Sequence, residues 1–311
     1  MRVAMLAGGM SGYLRRCLDE VEAQGHELFV CHGLNRDANA PYSRDVFARP
    51  GQVLTWVGQP NERQLRARLE DFRPDALLVV SWHYPFYRRA LAAWRGRTTR
   101  VLCMDNQWRG TAKQWLGRAI WPRYIAPLYE MAFVPGYRQE WFARRLGFRE
   151  QDIIRGLYAA DRDGFDLGSR EDVKASRSFL FAGRLIPAKG VDVLARAYAE
   201  YRRGVVDPWP LRVLGTGPQA EDLAEIDGIT MIGFRQPAEL PATFRGSVCL
   251  VLPSRFEPWG VVVHEACAAG MGVIASTAVA AADTFVQDGY NGRIVATGSV
   301  DDLASTLGEV S

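Results

Sequence analysis

Two carboxylates, Glu257 and Glu265, and two cations, Arg184 and Lys189, are the residues of this chain whose types and spacing could do chemistry. Arg184 and Lys189 are predicted to flank a strand's carboxyl end and a helix's start, in the order Gly183-Arg184-Leu185, Lys189-Gly190, then a helix from Val191. Two cations beside free backbone N–H groups suit a diphosphate. A solvated basic turn is the alternative for one Arg and one Lys. Glu265 stands in the helical stretch Val261 to Ala269, which is apolar almost all round, so it should be buried and need hydrogen-bond partners. Ribose hydroxyls would supply them; an internal salt bridge is the alternative. Glu257 lies on the loop feeding that helix, where it could hold a sugar's hydroxyls while Trp259, Gly260 and Val261 present N–H groups to phosphate. Alternatively, it is a helix N-terminal charge favoured by the dipole.

The elements that must position these groups read as α/β. Val3 to Ala7 is a short β-rich strand, Gly8-Gly9 a turn, Ser11 an N-cap, Tyr13 to Gln24 an amphipathic helix, and Glu27 to Cys31 the next strand. That order opens a doubly wound parallel sheet, with the glycines letting a ligand approach the backbone. Further strands are expected at Ala76 to Ser81 and Arg100 to Met104, with helices at Glu62 to Asp71 and Pro85 to Trp94. The polar, turn-rich stretch Tyr158 to Arg177 reads as a linker, placing the domains at 1–165 and 166–311. A second sheet follows, with strands at Phe179 to Ala182, Leu211 to Leu214, Ile229 to Ile232, Cys249 to Pro253 and Gly272 to Ser276. Two such domains leave a cleft, and ligands bind outside the carboxyl ends of the strands.

Composition is consistent with that plan. With 311 residues, two domains are the natural prior. The hydrophobic fraction of 48% and charged fraction of 23% are those of soluble globular proteins, and no run reaches the roughly 20 apolar residues of a membrane span. The start, MRVAMLAGG, reads as a strand rather than a signal peptide, so the expected location is cytoplasmic. Five cysteines form no C-x-x-C pair, and all but Cys17 sit in apolar runs, as small buried hydrophobes do. His264-Glu265 begins like a zinc-protease motif, but Ala268 stands where the second His would be. No metal site is expected.

The carboxyl half resembles glycosyltransferase family 4, retaining enzymes of GT-B architecture, through FAGRLIPAKGVDVLARA, MIGFRQPAELPATF, LVLPSRFEPWGVVVHEACAAGMGVIAS and DGYNGRIV. The Glu-x7-Glu spacing of Glu257 and Glu265 is that family's signature. The amino half matches more loosely, through AGGMSGYLRRCLDEVEAQGHELFV, RPDALLVVSWHYP and YAADRDGF. The resemblance implies two Rossmann-like domains facing across a cleft, the first for the acceptor and the second for a nucleotide-sugar donor such as a UDP- or GDP-sugar. It implies that Arg184 and Lys189 hold the donor diphosphate, with Gly183 beside them, Glu265 the ribose, and Glu257 with Trp259, Gly260 and Val261 the transferred sugar. Ile232, Gly233 and Phe234 would line the base pocket, and Gly8 and Gly9 would face the donor phosphate and the acceptor. Where the family usually places a histidine touching the donor sugar, this chain reads Cys103-Met104-Asp105-Asn106, which gives the place to Asp105. Ala280-Ala281-Ala282-Asp283 replaces the common Gly-Gly before Glu, and the chain stops at Ser311 without the long crossover segment.

The expected activity is therefore metal-independent, retaining hexosyl transfer to a saccharide or lipid-linked acceptor in bacterial glycan or glycolipid synthesis, with no cofactor. A GT-B sugar phosphorylase or nucleotide-sugar epimerase shares the fold, which does not fix the reaction. An NAD-dependent oxidoreductase should show G-x-G-x-x-G after the first strand, and AGGMSG lacks that spacing. Residues 107–149 carry Trp108, Trp115, Trp121 and Trp141 with Lys113 and seven arginines against Glu130 and Glu140, a local charge of +6 in a chain of +3. Such a segment suits peripheral contact with an anionic membrane; buried tryptophans and solvated arginines are the alternative. Nucleic acid is not an expected partner, because the carboxyl half is near neutral.

Overall fold

The computed structural model describes residues 1–34, 42, 52–80, 82–165 and 177–311. Of the expected linker, 166–176 lies outside the described residues, as does Ser81 at the end of an expected strand. Contacts divide the described residues into two compact units, 1–34 with those of 52–159, and Tyr42 with those of 160–311. Phe165 belongs to the second, where its ring meets Phe244 edge-on at 5.1 Å.

The first unit is built on strands β1 (Arg2–Ala7), β2 (Glu27–Gly33), β3 (Gln52–Trp56), β4 (Ala76–Val80), β5 (Thr99–Cys103), β6 (Met131–Val134) and β7 (Ile153–Arg155). They form one parallel sheet in the order β3-β2-β1-β4-β5-β6-β7. Strands covered on both faces need apolar residues without alternation, and β1 obliges with Ala4, Met5, Leu6 and Ala7 all buried. Among the described residues the helices of eight or more residues are α1 (Gly12–Ala23), α2 (Glu62–Phe72), α3 (Pro85–Ala93), α4 (Ala112–Tyr124) and α5 (Tyr137–Leu146). Ser11 caps α1 as expected, its side chain accepting from the Leu14 N–H at 3.3 Å. β2 runs past Cys31 because His32 and Gly33 pair with Thr55 and Trp56 of β3.

In the second unit β8 (Phe179–Ala182), β9 (Leu211–Leu214), β10 (Ile229–Gly233), β11 (Cys249–Leu252), β12 (Gly272–Ser276) and β13 (Gly292–Val295) form a parallel sheet in the order β10-β9-β8-β11-β12-β13. Its longer helices are α6 (Val191–Gly204), α7 (Val261–Ala268) and α8 (Val300–Val310), and α8 packs on α6. Every residue of β8 and β11 is buried.

Both sheets are doubly wound and Rossmann-like. Each reverses direction beside its first strand, at β1/β4 and at β8/β11. Such a switch parts the loops at the carboxyl ends of the two strands and leaves a crevice for ligands. Gly8 and Gly9 follow β1; Gly183 and Arg184 follow β8; Glu257 follows β11. Cys31, Cys103 and Cys249 are buried, whereas Cys267, expected among them, is half-buried on the short helix α7, where Val263, His264 and Ala266 are the buried positions. All five thiols are free. No helix among the described residues is long and apolar enough to cross a membrane.

Candidate functional site

At the β8/β11 switch two loops are locked together through glycine. Gly190 caps α6 with φ of 68°, and a Cβ there would lie 2.2 Å from the Pro253 carbonyl oxygen, so only glycine admits the contact. The Arg255 and Phe256 N–H groups both donate to the Ala188 carbonyl, at 2.9 and 3.1 Å. Across this seam the Lys189 ammonium donates to the Glu257 carboxylate in an ion pair whose side chains are 16% and 9% exposed. Arg255 and Asp192 form a second, bidentate pair, which holds the Asp192 carboxyl below its usual range. Lys189 and Glu257, which sequence places on different substrate groups, are thus brought into contact with each other. Arg184 stands exposed on the loop after β8.

The loop from Glu257 into α7 is held by its own side chains. Glu257 bridges to Val279 as an isolated parallel pair, and Gly260, at φ of 101°, leads into the helix. Trp259 is 3% exposed, and its indole Nε1–H donates to His264 Nε2 at 2.7 Å, one turn into α7. The His264 ring packs on Phe285 with centroids 4.0 Å apart, and burial lowers its pKa to about 4, so it is a neutral acceptor. The Ala281 N–H donates to the Trp259 carbonyl at 2.9 Å. The loop therefore presents the start of α7, where the N–H of Val261 has no intrahelical partner.

Glu265 makes no ion pair or side-chain hydrogen bond among the described residues. It keeps part of its surface, but the protein packed around the carboxyl disfavours charge and raises its pKa to about 7. The salt-bridge alternative is thereby removed for the described residues. On the loop after β11 the fully buried Ser254 hydroxyl has no hydrogen-bond partner among the described residues, while its carbonyl accepts from Ser276 Oγ at 2.5 Å. On β10 the register shifts between Met231 and Gly233, leaving Ile232 as an extra residue in the ladder. Gly233 follows with φ of 77° and open space where a side chain would stand; Phe234 meets Tyr42 edge-on at 5.4 Å.

In the first unit, Gly8 is closed in: a Cβ on it would lie 2.2 Å from the Tyr84 hydroxyl. Asp105 follows β5 and accepts from the Tyr158 hydroxyl at 3.1 Å. Tyr158 in turn meets Tyr13 of α1 edge-on at 5.0 Å, and burial together with the Asp105 charge pushes its own pKa up. The sequence assigned no role here to Tyr84 or Tyr158, and His264 was weighed only as a metal ligand. His264 had a signal, since a polar side chain on an almost wholly apolar helix requires a partner.

Residues 176–311 match the family model "Glycosyl transferases group 1". Over 97% of its length the chain is 32% identical to the D-inositol 3-phosphate glycosyltransferase of Nocardia farcinica, spanning 76% of that protein. Among solved structures it superposes on the pneumococcal O-GlcNAc transferase GtfA in complex with UDP and GlcNAc with a TM-score of 0.75 at 11% identity, covering 100% of this chain and 92% of that one. HepE of Anabaena, in complex with UDP, superposes with a TM-score of 0.72 at 17% identity, covering 99% and 89%. These structural likenesses establish the GT-B fold, and the sequence matches over a carboxyl half that carries Glu257 and Glu265 establish that the chain is a glycosyltransferase of family 4, the glycosyl transferases group 1.

Proposed function

We propose that this enzyme transfers a sugar from a nucleotide-diphosphate sugar, with retention and without a metal, to a saccharide, cyclitol or lipid-linked acceptor on the cytoplasmic side of the membrane. The observation that carries the donor assignment is Glu265, a desolvated carboxylate with no protein partner among the described residues, on the helix that begins at the β11 loop. Ribose hydroxyls would supply its missing donors. Arg184, the Gly183 backbone and the start of α7 would take the diphosphate, whose negative charge grows as its bond to the anomeric carbon breaks. The acceptor oxygen then bonds to that carbon on the same face, and its proton leaves with the diphosphate.

Lys189 is held by Glu257 before substrate arrives, so the pair is a preset charge rather than two independent ligands. In this reading Glu257 keeps the ammonium in place for the diphosphate while its remaining lone pairs face sugar hydroxyls. Ile232, Gly233 and Phe234 border the open space suited to the base, and Gly8, Gly9 and Asp105 serve the acceptor unit. The UDP in the HepE and GtfA structures supports uridine as a base, and the GDP-mannose dependence in the name of a Mycolicibacterium smegmatis relative, 31% identical over 48% of this chain, supports guanosine. A thermal-shift comparison of UDP, GDP and ADP and their sugars tests the donor, since a bound ligand raises stability with occupancy. NMR of the product's anomeric proton tests retention. An upward shift with none of the three diphosphates, or an inverted product, overturns the reading.

Peripheral membrane contact is supported by α4. Trp115, Leu116, Ile120 and Tyr124 on this helix are 50%, 67%, 45% and 65% exposed, beside exposed Lys113, Arg118 and Arg123. Apolar anchors among basic residues suit an anionic interface.

A further inference from the structure

The basic aromatic segment contains a cavity that neither the donor assignment nor the exposed face of α4 uses. It measures about 390 Å³ and is lined by Gln107, Trp108, Tyr137, Arg138 and Trp141. Gln107 and Trp108 lie on the loop leaving β5, and Tyr137, Arg138 and Trp141 on the first turns of α5, which follows β6. The cavity therefore opens at the carboxyl ends of two neighbouring parallel strands, the side on which doubly wound sheets bind ligands. Its volume is within the range of small-molecule sites.

The chemistry of the lining narrows the occupant. Tyr137 and Trp141 are 58% and 48% exposed, large apolar surface left in water at a concave site. Their rings are held from one side by cations: the Arg145 guanidinium lies 4.1 Å from the Trp141 ring centre and 5.1 Å from that of Trp108, and Arg155 lies 4.6 Å from that of Tyr137. The rings are therefore preset, and a ligand need not pay to order them. Flat aromatic faces beside an amide and a guanidinium match a molecule with one C–H face and a rim of hydroxyls. An acyl chain would offer no hydrogen-bonding group to the amide and the guanidinium in this lining.

We infer that this cavity is the subsite for the ring of the acceptor, a pyranose or cyclitol whose C–H face stacks on Tyr137 and Trp141 and whose hydroxyls reach Gln107 and Arg138. An anionic substituent on that ring would be taken by Arg138. The identification of the ring as acceptor rests on the glycosyltransferase reading; the binding itself does not.

The test titrates the protein with myo-inositol, D-inositol 3-phosphate and methyl glucoside, followed by tryptophan fluorescence and saturation-transfer NMR. At least one of these is expected to bind wild type, and Trp141→Ala and Tyr137→Ala are each expected to weaken it by about tenfold. Thermal shifts with UDP and GDP stay unchanged in the same variants, and circular dichroism confirms their fold. A phosphorylated ring is indicated if D-inositol 3-phosphate outcompetes myo-inositol and Arg138→Gln abolishes the difference; equal affinities indicate a neutral ring. The assignment is overturned if no ring polyol binds wild type, if binding is unchanged in both aromatic variants, or if uridine, rather than a polyol, binds in a Trp141-dependent way. Absent nucleotide shifts with intact polyol binding would instead count against the donor reading alone.

Discussion

The indole N–H of Trp259 donates to Nε2 of His264 across 2.7 Å of protein interior, tying the loop that carries Glu257 to the helix that carries Glu265. The bond requires neutral histidine, and burial supplies that by lowering its pKa to about 4. His264→Leu leaves a buried indole donor unsatisfied and is expected to cost about 1–3 kcal/mol. Nucleoside diphosphate affinity should fall with it, while His264→Gln, which keeps an acceptor, recovers part of both. Urea denaturation and calorimetric titration check this; a His264→Leu variant as stable and as tight as wild type would remove the positioning role.

Glu265 and His264 push the pH dependence of stability in opposite directions. The His264 pKa is depressed, so the unfolded state takes the proton first and stability falls as pH drops from about 6.5 toward 4. The Glu265 pKa is raised from 4.5 to about 7, so the folded state holds the proton longer and stability falls as pH rises through that interval. Glu265→Gln should therefore be more stable than wild type at pH 8 by about 1–3 kcal/mol and indistinguishable at pH 4. Its donor affinity should drop about tenfold. Equal stability at both pH values would contradict the desolvated carboxyl.

Lys189 and Arg184 should separate in stability although both are proposed to serve the diphosphate. Removing Lys189 leaves Glu257 buried without its cation, and Lys189→Ala is expected to lose about 2–4 kcal/mol. Lys189→Met combined with Glu257→Gln should recover most of that stability without recovering activity. Arg184 is exposed, so Arg184→Ala should change stability by less than about 0.5 kcal/mol while lowering turnover by about a hundredfold. Wild-type turnover in Arg184→Ala would sink its assignment.

Gly190→Ala places a methyl against the Pro253 carbonyl in a left-handed backbone conformation. Separation of the loops after β8 and β11 should cost more than about 2 kcal/mol and break the Lys189–Glu257 pair. A melting temperature within a degree of wild type would show that the seam is not rigid.

For membrane contact, co-sedimentation with anionic vesicles at low salt is expected for wild type and should be lost in Ile120→Ser combined with Leu116→Ser. Neutral vesicles should bind weakly, because the basic residues of α4 contribute about 1 kcal/mol each at an anionic surface. Absence of wild-type binding at low salt removes the proposal.

Much of the scaffold was legible in the sequence because its signals are local. Ser11 caps α1 through its own hydroxyl, and short apolar runs bounded by turns, such as Phe179 to Ala182, suit strands buried on both faces. Short strands such as β7, with three residues, carry too little pattern to be seen alone. The sequence by itself also singled out the groups proposed to meet a nucleotide sugar, since Arg184, Lys189, Glu257 and Glu265 stand in order around strand-to-helix turns. Only the tertiary structure decided how they are shared. Lys189 and Glu257 are 68 residues apart and meet because β8 and β11 are neighbours across the reversal of the sheet, where Gly190 lets two loops touch. Glu265 has no such partner among the described residues, and its altered proton affinity depends on the density of protein around it, a property that no spacing along the chain encodes.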